Sequence, residues 1–205
     1  MNLIRLMDKL RGKWRKKWAH DSYEEAAISL IDQKTKKTRV KEAANYFGVH
    51  PEIVSFFKAM RYECEKRGIT VKAHEFYRSG ERQNQLFEKK VTKARAGESP
   101  HQYGCAVDII STEHGWNMTK KEWDIVCAIG YEVARKKKLR IINGSDWGKP
   151  NEHTRFWDPA HWELKRWRDY RAAEKYANEN KIALREDTQQ RFSQLDYIFG
   201  MIEKS

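Results

Sequence analysis

The run Ser99-Pro100-His101-Gln102-Tyr103-Gly104-Cys105-Ala106-Val107-Asp108 decides how the rest of the chain is read. It sets a histidine and a carboxylate seven residues apart, with a glycine between them. The residues from Cys105 to Ile110 are β-prone and mostly apolar. In a regular strand the odd spacing puts His101 and Asp108 on opposite faces. Pro100, Gly104 and the Val/Ile run argue against a helix. A turn or bulge at Gly104 resolves this by re-aiming His101 towards the face that carries Asp108. Imidazole and carboxylate converging from one hairpin make two-thirds of a three-ligand zinc site. The third ligand is sought in Trp157-Asp158-Pro159-Ala160-His161-Trp162-Glu163-Leu164, where His161 opens a short alternating run. His101, Asp108 and His161 then leave one metal position open, the arrangement of a catalytic site rather than a structural one. Asp158 lies near the metal without binding it, placed to move a proton.

These residues resemble the zinc D,D-carboxypeptidase and L-alanyl-D-glutamate peptidase family of bacterial and phage cell-wall enzymes, the VanY and endolysin group. That family carries a pattern close to S-x-H-x-x-G-x-A-x-D, met here by Ser99, His101, Gly104, Ala106 and Asp108. It continues with D-x-x-H followed by an aromatic and Glu or Gln, met by Asp158, His161, Trp162 and Glu163. Upstream, Y-R-S-x-x-R-Q is matched by Tyr77-Arg78-Ser79-Gly80-Glu81-Arg82-Gln83, and a Gly-x-Asp-Trp element by Gly144-Ser145-Asp146-Trp147. Single matches are weak; the ordered set, covering about Val49 to Leu164, is specific. The resemblance implies a hedgehog/D,D-peptidase-like fold and zinc as cofactor. It implies Arg78 as the residue that holds a substrate carboxylate or a developing oxyanion. Gln83, Ser99 and Trp147 match positions that line the site.

Composition sets bounds on this reading. Lys plus Arg number 41 against 29 Asp plus Glu, a net charge of +12. Such a chain suits anionic partners: nucleic acid, an anionic membrane surface or acidic wall polymers. Cys64, Cys105 and Cys127 are scattered, without CxxC or disulfide spacing, which points to synthesis in a reducing compartment. No run approaches the ~18 apolar residues of a membrane span, and charges interrupt the first twenty residues where a signal peptide would lie. The expectation is synthesis in a bacterial cytoplasm and action in the periplasm or cell wall, as a phage endolysin or a lysin carried in a virion.

Along the chain, Leu3, Leu6, Met7, Leu10, Trp14 and Trp18 fall at helical spacing among seven basic residues. This predicts a basic amphipathic helix, either docked on the domain or lying on a membrane or partner. Ser22 and Glu25 form a capping box for a helix to about Ile31, and residues 33–41 read as a basic linker. A short helix is expected over Lys41–Phe47, ended by Gly48. A stronger one starts at Pro51 with Ile53, Val54, Phe57, Met60 and Tyr62 inward. A strand at 69–76, a helix at 81–91 and a long helix at 119–138 follow, the last burying Trp123, Val126, Cys127, Ile129 and Val133. A strand at 139–142, closed by Asn143-Gly144, precedes a polar loop over 145–156 and a last short strand at 161–164. Residues 166–180 are helical, and the tail holds one more short helix. The class is α+β, a small antiparallel sheet packed with helices. The domain division expected is a basic helical extension (1–45), the zinc peptidase domain (46–168) and a C-terminal helical extension (169–205).

Plainer readings stand beside these. His20, His50, His114 and His153 read as surface or packed histidines, and His74 is set apart only by lying near Arg78. His101 alone is a turn residue beside Pro100, and Asp158 alone an N-cap before Pro159. Cys105 reads as a small buried packing residue, with no base evident for it, and Trp162 as a core aromatic. The joint reading is a monomeric zinc peptidase acting on the peptide stems or crosslinks of peptidoglycan, at an L-Ala–D-Glu bond, a D,D-crosslink or a terminal D-Ala, with no nucleic-acid partner. Its rival is a non-enzymatic, zinc-stabilised hedgehog-like binding module, which needs no base at Asp158.

Overall fold

The computed structural model describes Ala26, Leu30, residues 46–147 and residues 157–204. The expected N-terminal amphipathic helix, the basic linker, most of the helices at 22–31 and 41–47, most of the 145–156 loop, His20 and His153 lie outside the described residues. Among those described, Tyr46–Gly48 form a turn rather than a helix end.

Helix α1 (Pro51–Glu65) begins at His50, whose ring accepts from the Glu52 N–H, with proline at the first position. It buries Ile53, Phe56, Phe57, Met60 and Cys64. Tyr62, expected inward, is exposed; the stripe passes instead through Phe56 and Cys64, which sit at the i, i+4 and i+8 spacing of Phe56, Met60 and Cys64. Strand β1 (Val71–Glu75) leads to α2 (Gly80–Glu88), capped by the Ser79 hydroxyl. A 3₁₀ turn, Pro100–Tyr103, precedes β2 (Ala106–Ser111). Helix α3 (Lys120–Lys136) starts with a complete Thr119/Glu122 capping box and buries all five residues expected of it. Strands β3 (Ile141–Gly144) and β4 (Asp158–Leu164) are followed by α4 (Trp167–Glu179) and α5 (Thr188–Ile202). At 15 residues α5 is as long as α1, not the short helix expected. Among the described residues no helix is long and apolar enough to cross a membrane.

The four strands form one antiparallel sheet in the order β1-β2-β4-β3. Neighbouring strands are joined by helices and long connections, so His101 and Asp108 do not converge from a hairpin. The 3₁₀ turn does the re-aiming, and Gly104 lets it enter the strand. Gly104 has φ 64°, and a Cβ there would lie 1.8 Å from the Gly48 carbonyl oxygen. The two segments are laced by the His50 N–H donating to Gly104 O at 2.9 Å. Trp162, fully buried, packs on Phe56 at 5.0 Å and over Gly130, where a Cβ would come within 2.4 Å of its ring. Tyr170 and Phe192 close on His50, and Ala26, Leu30, Ala173, Leu195 and Ile198 join the same core.

Gly104→Ala therefore combines a disfavoured backbone conformation with a backbone collision. It should lower stability by about 2–4 kcal/mol. Urea unfolding checks this, and a wild-type midpoint would contradict it.

Candidate metal centre

Asp108 sits in the middle of β2, opposite His161 of β4 and Glu75 of β1. A register irregularity between Ala73 and Glu75 brings Glu75 onto that pairing. His101 reaches the same place from the 3₁₀ turn, clasped at two points by the segment leaving β1. Its Nδ1–H donates to Phe76 O at 2.7 Å, and its carbonyl accepts from the Arg78 N–H at 3.2 Å.

Three atoms meet. His101 Nε2 lies 3.2 Å from Asp108 Oδ1 and 3.2 Å from His161 Nδ1, and His161 Nδ1 lies 3.1 Å from the same Asp108 oxygen. All three residues are buried. The outer nitrogen of each ring already faces an acceptor: His101 Nδ1 the Phe76 carbonyl, His161 Nε2 the Glu163 carboxylate at 3.0 Å. A carbonyl only accepts, so the His101 proton belongs on Nδ1, and Glu163 favours the His161 proton on Nε2. In the neutral rings, then, two nitrogen lone pairs and a carboxylate oxygen point at one another. That arrangement calls for a cation. A tetrahedral centre with bonds of about 2.0–2.1 Å has edges of about 3.3–3.4 Å, close to this triangle. The donor set and its spacing fit a metal ion such as zinc.

The electrostatics favour positive charge at this point. Burial acts to raise the Asp108 pKa, but both histidines outweigh it and hold the carboxyl well below its usual range. Burial acts to lower the pKa of His161, yet its bonds to Asp108 and Glu163 push it up to about 9. Asp158 stands at the start of β4, its carboxylate accepting from the His161 backbone N–H. Burial, and then the charge of Asp108, raise its pKa. A carboxyl shifted towards neutrality beside a metal-binding triangle can take up and give back a proton.

The remaining predicted residues fall into two groups. Trp147 tilts against His161 at 4.9 Å between ring centres, half-buried. Ser99 is buried at the head of the 3₁₀ turn. Arg78 is committed inside the protein: Nε donates to Glu75 at 2.7 Å, Nη1 to Gln83 at 3.0 Å and Nη2 to Asp108 Oδ2 at 3.3 Å. Gln83 has no exposed surface; its amide donates to Thr92 and to Ala94 O, so it touches the site only through Arg78. His74 is exposed against Trp116, and Cys105 is buried with its thiol pKa pushed well up by burial.

Sequence reading gave no role to Glu75, Asn143 or Glu163. Glu163 carried a signal, since i+2 along a strand shares the face of His161. Asn143 is expected to close a strand. It is instead fully buried within β3, its amide donating to Pro159 O at 2.9 Å and His161 O at 2.8 Å, which fixes the ligand-bearing stretch of β4. Glu75 had no signal, because it depends on a register shift.

Residues 47–130 match the family described as VanY: D-alanyl-D-alanine carboxypeptidase. The chain is 28% identical over 131 residues to the peptidoglycan L-alanyl-D-glutamate endopeptidase CwlK of Bacillus subtilis (strain 168), covering 57% of this chain and 73% of that protein. It is also similar to the solved L-Ala D-Glu endopeptidase ChiX of Serratia marcescens, at 23% identity and a TM-score of 0.44, covering 60% of this chain and 85% of that one. The family match spans Arg78, His101 and Asp108; Asp158 and His161 lie beyond it and arrive through β2–β4 pairing.

Removing the outer partner of His161 should loosen the metal without removing a ligand. Glu163→Ala is expected to weaken divalent-metal affinity about 10–100-fold, and Glu163→Gln by less. Chelator competition measures both, and wild-type affinity in Glu163→Ala would refute the role.

Proposed function

We propose that this relative of the VanY-type peptidases is a zinc peptidase of the bacterial cell wall that hydrolyses the L-alanyl–D-glutamate bond of peptidoglycan stems. The observation that carries the reading is the His101–Asp108–His161 triangle, with the protons of both rings drawn to their outer nitrogens. Two imidazoles and one carboxylate, with a fourth position open, suit catalytic zinc. The name of the Bacillus subtilis relative supports the choice of bond. The basic chain suits a polyanionic envelope, and lysis by a phage endolysin or particle-borne lysin is the setting in which we place it.

His101, Asp108 and His161 would hold zinc, which would supply Lewis acidity to the scissile carbonyl and to water. The protein's residues do the rest. Asp158, its carboxyl raised by burial and by Asp108, accepts a proton from the attacking water and returns it to the leaving amine. Arg78 holds Asp108 in place through Oδ2 and keeps positive charge beside the carbonyl oxygen as it becomes anionic. Trp147 tilts against the His161 ring and limits water there.

A second reading, removal of a terminal D-alanine, draws support from the family description. Mass spectrometry of a purified peptidoglycan digest separates them: new amino-terminal D-glutamate for the first, free D-alanine for the second. Release of neither by zinc-loaded protein would favour the non-enzymatic binding module.

Asp158 and Asp108 should fail differently. Asp158→Asn is expected to keep zinc and fold while losing about 10²–10⁴ in kcat with little change in KM. Asp108→Asn and His161→Ala should lose zinc, and activity should fall with occupancy. Paired zinc stoichiometry and kcat decide; wild-type turnover in Asp158→Asn, or loss of its zinc, would show the division of roles to be wrong.

A further inference from the structure

Two arginines share one carboxylate beside the metal triangle. Arg78 is the inner one: its side chain is 10% exposed, and each of its three nitrogens already has an acceptor, in Glu75, Gln83 and Asp108. Glu75 turns its other oxygen outward, where Oε1 lies 3.7 Å from Arg82 Nε. The Arg82 side chain is 47% exposed. Glu75 thus joins a buried guanidinium that faces Asp108 to an exposed one, a single side chain further out.

Stability does not account for Arg82. It lies in the first turn of α2, its N–H donating to the capping Ser79 hydroxyl at 3.2 Å. A cation there opposes the helix dipole, which favours acids at the amino end. An open ion pair at 3.7 Å contributes little in return. The inner arginine is occupied, so the outer one is the cation with donors to spare for substrate.

The candidate bonds share one chemical feature. When an L-alanyl–D-glutamate stem continues through the side-chain carboxyl, the D-glutamate keeps a free α-carboxylate. In a D-alanyl-D-alanine terminus the last residue does too. In both, the anion sits on the carbon that bears the leaving nitrogen. A guanidinium fork matches a carboxylate in shape and charge. We propose that Arg82 reads the free α-carboxylate of the leaving residue and so makes the site selective for it, an inference that rests on the peptidase reading above.

The test uses the zinc-loaded full chain and two synthetic stem peptides that differ only at that α-carboxyl, as free acid or primary amide. Wild type should favour the acid in kcat/KM by about tenfold or more, the scale of a charge-assisted hydrogen bond, and Arg82→Gln should shrink the ratio to within about threefold. Arg82→Lys should keep part of it. Lys72→Gln removes a different cation, paired with Ile110 in the β1–β2 register, and should leave the ratio intact. Zinc content is measured for each variant. Equal cleavage of acid and amide by wild type, or a wild-type ratio in Arg82→Gln, overturns the inference. Loss of zinc from Arg82→Gln also overturns it, since the residue would then act on the metal site. Cleavage of neither peptide by wild type overturns the peptidase reading and the inference with it.

Discussion

The pairing of Asp108 with His161 across β2 and β4 is the constraint on which the site depends. Strand side chains alternate, so a slip of one residue would turn His161 and Glu163 to the opposite face and bring Trp162 out of the core. The register is held from the other side of the sheet. Trp162 is locked between Phe56 and Gly130, and the buried Asn143 amide grips the β4 backbone at Pro159 and His161. Core packing on one face thus fixes the position of polar groups on the other.

That polar face is buried, and buried charge is tolerated only when its partners are supplied. Asp108 has two acceptor oxygens; one faces the histidines and the other accepts from Arg78. Arg78 is neutralised by Glu75, and the His161 Nε2–H is met by Glu163. Charge therefore alternates outward from the triangle, with Arg82 as the last member at the surface. Such a network costs less to bury than any one of its members, and it orients the inner donors before a metal arrives.

The helices that follow β4 belong to this construction. His50, at the head of α1, bonds to Tyr170 of α4 at 2.9 Å and packs on Phe192 of α5. Its pKa is lowered to about 4 by burial and by Arg166, so it stays neutral and packs as an aromatic. The same residue's backbone N–H bonds to the Gly104 carbonyl, which ties the C-terminal helices to the turn that aims His101.

By itself the sequence singled out the candidate site residues and most of the element types. His101, Asp108, Asp158 and His161 stand out because their types, order and spacing are local facts. A β-prone apolar run marks β2, alternation marks β4 and an amphipathic pattern marks α3. It also placed a break at Gly104, because a glycine before a Val/Ile run is readable in the chain. Only the tertiary structure decided how those residues are served. The Phe76 carbonyl on His101, the register shift that turns Glu75 towards Asp108, and the complete engagement of Arg78 all join residues far apart in sequence. So does the inward turn of Phe56 and Cys64 in place of Tyr62, since a helix stripe can rotate until its neighbours fix it. Hydrophobic periodicity records which face of an element is buried. It carries no record of which strand lies opposite, and hydrogen-bond partners follow from that.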